Sequence, residues 1–197
     1  KLTKKVESFI KNTNLSEISI GCSDSQVIRI EKNQKIYFLK MAKKGLLTQE
    51  FNALNWLDGK LSVPEIVLFD DGTENEFLIT KAIPGEMVCS EKYLNNPMLA
   101  LEIIKQAFDN IYSVDISGCP FDVSNKYKLS LIKNNVEKGL IKNKDLKSET
   151  LERFENVEGL LNYLINNQFE EELCFSHGDT SLPNIFSFDD KFSGFID

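Results

Sequence analysis

Nowhere does the sequence hold the roughly 18 consecutive apolar residues that a membrane-spanning helix needs, which argues against a span. Its opening, Lys1-Leu-Thr-Lys-Lys, is charged but has no apolar h-region, so it is not read as a secretory signal. An initiating Met is absent, and a trimmed or partial start is expected. Cysteine is sparse: the 4 residues, Cys22, Cys89, Cys119 and Cys174, show neither CxxC spacing nor the density of a disulfide scaffold. Reduced thiols in a cytoplasm are expected. Positive charge is in short supply, with 23 Lys and Arg against 30 Asp and Glu and a formal net charge of −7. No basic stripe is present to neutralise phosphates, which argues against a nucleic-acid partner. The acidic balance is compatible with a polycationic small molecule. Internal repeats are absent. What remains is a chain of 197 residues, 42% apolar, enough to bury the core of one domain or two small lobes.

The chemistry concentrates near the end, in Cys174-Phe-Ser-His-Gly-Asp-Thr-Ser-Leu-Pro-Asn-Ile-Phe-Ser-Phe-Asp-Asp-Lys-Phe-Ser-Gly-Phe-Ile-Asp197. Asp179, Asn184 and Asp197 form an acid–amide–acid set of the kind phosphoryl transfer needs. One carboxylate positions or deprotonates an attacking hydroxyl, while an amide and a second carboxylate hold Mg²⁺ on the nucleotide phosphates. Asp189-Asp190 is a turn signal between two apolar runs, 184–188 and 191–196, so the segment reads as a β-hairpin. Pairing across that turn brings Asn184 beside Asp197. Both offer hard oxygen donors, suited to Mg²⁺ rather than zinc. Asp179 is expected on a loop leaving a short apolar strand at 173–175.

This pattern resembles the catalytic and metal-binding segments of the aminoglycoside phosphotransferases, relatives of the eukaryotic protein kinases. His177-Gly-Asp179 stands where protein kinases have HRD, Asn184 stands at the catalytic-loop Asn, and Phe195-Ile-Asp197 stands at the DFG aspartate. The likeness is greatest to the 3′-hydroxyl-modifying enzymes and runs through most of the chain. It implies that His177, the only histidine, packs beneath its loop rather than titrating, and that Asp179 engages the acceptor hydroxyl.

Upstream, the strand Ile36-Tyr-Phe-Leu-Lys-Met41 places Ile36, Phe38 and Lys40 on one face by its period of two. Phe38 would lie against a base and Lys40 would reach the phosphates. Leu47, Phe51, Leu54 and Leu57 then follow the helical period, with Asp58-Gly59 closing the helix. Glu50 shares their stripe. A carboxylate on a covered face is costly unless paired, and Lys40 is the expected partner. Short strands are expected at 18–20 and 27–30 around the turn 21–26, and at 65–69 and 76–80. The resemblance implies that Ser23 and its neighbours cover the phosphates. It also implies that the Thr80 carbonyl and the Ala82 N–H meet the adenine edge at the lobe connection, with ATP or GTP as donor.

The remainder reads as helical. Asn96-Pro97 caps a helix with a stripe of Leu101, Ile104, Phe108 and Ile111, and a second stripe runs through Leu151, Phe154, Val157, Leu161 and Leu164. Between them, 123–148 is polar and is either an exposed helical insertion or a mobile segment.

The expected fold is α+β and bilobal, kinase-like, with an antiparallel-sheet N-terminal nucleotide-binding lobe (1–82) and part of a mostly helical C-terminal catalytic lobe (83–197). The resemblance implies further C-lobe sequence after Asp197. The expected activity is transfer of the γ-phosphoryl group to the 3′-hydroxyl of an aminoglycoside antibiotic, conferring resistance. Alternatives are a kinase for another small alcohol (choline, homoserine or a macrolide) or a truncated nucleotide-binding protein without transferase activity.

Overall fold

The computed structural model describes residues 2–18 and 25–196. Two compact units emerge: Lys1–Asp115 with Phe175–Asp197, and Ile116–Cys174.

The first unit is built on a five-stranded antiparallel sheet. Its elements in chain order are α1 (Lys4–Ile10), β1 (Asn14–Ile18), β2 (Gln26–Lys32), β3 (Lys35–Lys43), α2 (Thr48–Leu57), β4 (Ile66–Asp71) and β5 (Asn75–Lys81). The strand order is β1-β2-β3-β5-β4, so β3 lies at the centre. Strand alternation sorts the side chains onto two faces. Leu39, Phe77 and Ile79 pack with Ile30 and with Val6 of α1. Ala42 and Leu78 turn the other way, onto Leu47 and Leu54 beside α2. There Phe51 stacks on Phe69 with ring centroids 4.3 Å apart, a pair worth about 0.5–1.5 kcal/mol beyond its buried area.

The chain continues through β6 (Glu86–Met87), α3 (Glu91–Leu94) and α4 (Pro97–Tyr112). Asn96 caps α4 by accepting from the Leu99 N–H, with Pro97 in the first turn, where its missing N–H costs nothing. The buried stripe of α4 is Ile103, Ala107 and Ile111, flanked by the half-buried Ile104 and Phe108. Leu101, expected on that stripe, is 58% exposed. It lies about a third of a turn round the helix from the stripe's centre, given 3.6 residues per turn.

β7 (Ile185–Phe188) and β8 (Lys191–Phe195) form the hairpin, and β6 adds a third strand against β7. Asp189 and Asp190 both have positive φ, 49° and 57°, the mark of a type I′ turn. Asn184 falls just before the first strand, in a 3-10 turn over Leu182–Asn184 that Pro183 initiates. Beneath the hairpin, Ile185, Phe195, Val88, Tyr93, Ile103 and Ile111 share a core. Residues 173–175, expected as a strand, form none. Phe175 packs against Trp56, ring centroids 5.8 Å apart, while Leu173 is 58% exposed.

The second unit holds α5 (Asn125–Glu137), α6 (Ser148–Phe154) and α7 (Val157–Asn166). The polar segment 123–148 is thus helical at its centre, and α5 buries none of its residues. The single stripe expected from Leu151 to Leu164 is divided. Glu155 takes φ 65°, and Asn156 starts a new helix by accepting from the Gly159 N–H at 2.7 Å. A local cap overrides the apolar period there.

Candidate active site

Strand β3 carries Phe38 and Lys40 on the face that α2 covers. Across the ladder, Phe38 pairs with Thr80 and Lys40 with Leu78 of β5. Residues directly opposite project to the same side of a sheet, so Phe38, Lys40 and Thr80 line one surface. From the first turn of α2, Glu50 reaches down to Lys40: Nζ to Oε1 is 2.8 Å, with side-chain exposures of 21% and 26%. Partial shielding on both sides strengthens this charge-assisted bond relative to a surface pair.

A second acid holds the same helix. Glu76 of β5 is 2% exposed, and its carboxylate accepts from the Leu47 N–H at 2.7 Å, the Thr48 N–H at 3.0 Å and the Thr48 hydroxyl at 2.5 Å. Burial works to raise its pKa. The Thr48 hydroxyl and the amides of Leu47, Gly45 and Thr48 outweigh that, and the net shift is downward. Sequence reasoning missed Glu76. The available signal was period two along β5, which puts it on the α2-covered face with Leu78 and Thr80.

At the other end of the chain, Gly178 turns the loop with φ 89°, a conformation that favours glycine. Asp179 follows, exposed. Its Oδ1 accepts from the Ser181 N–H at 3.1 Å, and its Oδ2 accepts from Asn184 Nδ2 at 3.1 Å. Asn184 Nδ2 also lies 3.2 Å from the Asp179 carbonyl oxygen. Bonds from the Ser181 hydroxyl and N–H lead in holding the Asp179 carboxyl below its usual pKa, with Asn184 and the nearby His177 adding to them. The His177 ring packs against Phe195, centroids 4.9 Å apart, which ties the loop to the hairpin core.

The amide of Asn184 is therefore oriented. Its nitrogen faces Asp179, and its Oδ1 accepts no hydrogen bond among the described residues. The Asn184 backbone carbonyl accepts from the Ile196 N–H at 3.0 Å, bringing the chain just before Asp197 alongside it. Asp197 itself and Ser23 lie outside the described residues. Asn184 Oδ1 is thus a hard oxygen of the donor type that Mg²⁺ takes.

The Ala82 N–H donates to the Ile36 carbonyl at 3.0 Å, prolonging the β3–β5 ladder. That bond gives this backbone donor its partner within the sheet. The structure brings together Phe38, Lys40 and Thr80 on the sheet with Glu50 of α2, and Asp179 with Asn184 at the loop.

A central-strand lysine tied to a helical glutamate, followed by an HGD loop and an amide-bearing hairpin, defines a kinase-like α+β phosphotransferase fold. The chain belongs to the phosphotransferase enzyme family, whose pattern it matches over residues 14–197. It is 32% identical to an aminoglycoside 3′-phosphotransferase of Acinetobacter baumannii, over 95% of this chain and 74% of that protein. The crystal structure of an aminoglycoside-3′-phosphotransferase of type VIII superposes with a TM-score of 0.67 at 23% identity, covering 98% of this chain and 73% of that one. A thermostable mutant of another aminoglycoside phosphotransferase, in ternary complex with ADP and hygromycin B, gives 0.68 at 13% identity, covering 98% and 69%. Among the described residues, no helix is long and apolar enough to cross a membrane.

Proposed function

We propose that the protein is an aminoglycoside O-phosphotransferase, moving the γ-phosphoryl group of ATP or GTP to the 3′-hydroxyl of an aminoglycoside and so conferring resistance. The observation that carries this reading is the oriented pair Asp179 and Asn184. The Asp179 carboxylate is held ionised and exposed, ready to accept the proton side of an acceptor hydroxyl. Its lowered pKa suits orientation of that hydroxyl better than full deprotonation, as a loose transition state requires.

Lys40, held by Glu50, steadies the donor phosphates, with Phe38 and Thr80 offering the surface for the base. Ser23 serves to cover the phosphates. Asn184 and Asp197 would hold Mg²⁺, which when bound neutralises phosphate charge. In this reading 1–82 is the nucleotide-binding lobe, 83–197 is part of the catalytic lobe, and the enzyme works in the cytoplasm.

The test is acceptor choice. An ADP-release assay with an aminoglycoside bearing a 3′-hydroxyl and with its 3′-deoxy analogue should show turnover only for the first. Equal turnover on both would rule out the 3′ assignment, and turnover on neither would rule out the substrate class.

A further inference from the structure

The Lys40–Glu50 pair depends on where α2 sits over the sheet, and the helix does not fix its own start. Leu47 stands at the N-cap of α2, and its apolar side chain makes no capping bond. The first-turn N–H groups that a helix leaves unsatisfied need an acceptor. Glu76 supplies it from a different element, taking the Leu47 and Thr48 N–H groups and the Thr48 hydroxyl together. Glu76 stands opposite Ala42 on β3, two residues along that strand from Lys40. On the helix side, Glu50 is two residues beyond Thr48, about 3 Å further along the axis. One buried carboxylate thus pegs the helix start to the strand pair that carries Lys40, and its negative charge at the helix N-terminus reinforces the join.

We propose that Glu76 is a positioning residue for the phosphoryl donor: it sets the register of α2 so that Glu50 meets Lys40. This rests on the reading that the Lys40–Glu50 pair serves the nucleotide. Glu76→Gln keeps the shape but offers one acceptor and places a donor against the helix N–H groups.

The experiment is a double-mutant cycle on the full chain with Glu76→Gln, Glu50→Gln and both, reading KM for Mg-ATP, KM for the aminoglycoside and kcat, with thermal denaturation to confirm folding. Glu76→Gln should raise the nucleotide KM about tenfold and leave the aminoglycoside KM unchanged, and the double variant should be no worse than Glu50→Gln. Additive effects overturn the proposal, because they place Glu76 outside the Glu50 pathway. Impaired Glu50→Gln with unaltered Glu76→Gln overturns it while sparing the role of the pair. An unaltered Glu50→Gln overturns both. Should Glu76→Gln fail to fold, Thr48→Ala removes only the hydroxyl bond. A nucleotide KM raised about two- to threefold then supports the proposal, and no change overturns it.

Discussion

Phe195 joins stability to chemistry in one side chain. It is fully buried, at 0% exposure, and its ring lies 4.8 Å from Phe192 and 4.9 Å from His177. Phe195→Ala removes the ring from a closed core and should cost about 3–5 kcal/mol. At about 2–4 °C per kcal/mol for a chain of this size, the melting temperature should fall by roughly 6–20 °C. Phe195→Leu keeps most of the apolar volume but loses two aromatic pairs at about 0.5–1.5 kcal/mol each, so about 1–3 kcal/mol in total. The functional consequence follows from His177, two residues before Asp179. Without its ring partner the loop loses its anchor, and kcat for Phe195→Leu should drop about tenfold while the nucleotide KM stays near wild type. Chemical denaturation and steady-state kinetics on the two variants measure both effects. The reasoning is refuted if Phe195→Ala costs less than about 1 kcal/mol, or if the leucine variant turns over like wild type.

Gly85 has φ 100°, and a Cβ there would sit 2.0 Å from the Ser187 carbonyl oxygen, a backbone atom that cannot step aside. Gly85→Ala should therefore destabilise by more than the about 1–2 kcal/mol of the left-handed conformation alone, and a smaller loss in denaturant titration would contradict the β6–β7 register. Glu76 has a folded pKa below its ordinary value of 4.5. Its stabilisation is thus fully present above the unfolded pKa and is lost as pH falls through the folded one. Stability profiles should show Glu76→Gln with a flatter acid limb than wild type, and parallel limbs would exclude the linkage. Lys40→Ala should weaken Mg-ATP binding by calorimetry at least tenfold, and unaltered affinity would remove Lys40 from the donor site.

Much of this arrangement was legible from period and turn chemistry. The Asp189-Asp190 pair announced the hairpin because only short polar residues readily take two successive positive φ values. Lys40 and Glu50 each broke an apolar pattern, one of period two and one helical, and a break on a covered face calls for a partner. Three features were hidden because they depend on tertiary partners or local caps. Glu76 looks like any strand acid until the start of α2 is placed above it. The Ala82 N–H bond to Ile36 shows only once β5 lies paired beside β3. The helix divides at Glu155 and Asn156 because an asparagine cap prevails over a continuing apolar stripe. Asp179 was found by its spacing, but the bonds from Ser181 and Asn184 that lower its pKa became visible only with the loop in place.

The role of Asp179 is the centre of the account, and one comparison tests it directly: turnover and Mg-ATP affinity of Asp179→Ala beside wild type. In the proposed reading the carboxylate orients the acceptor, and its hydrogen bonds among the described residues run to Ser181 and Asn184. The variant should therefore lose turnover by at least about 10²–10⁴-fold while binding Mg-ATP nearly as before. Lost nucleotide affinity with chemistry preserved would contradict it.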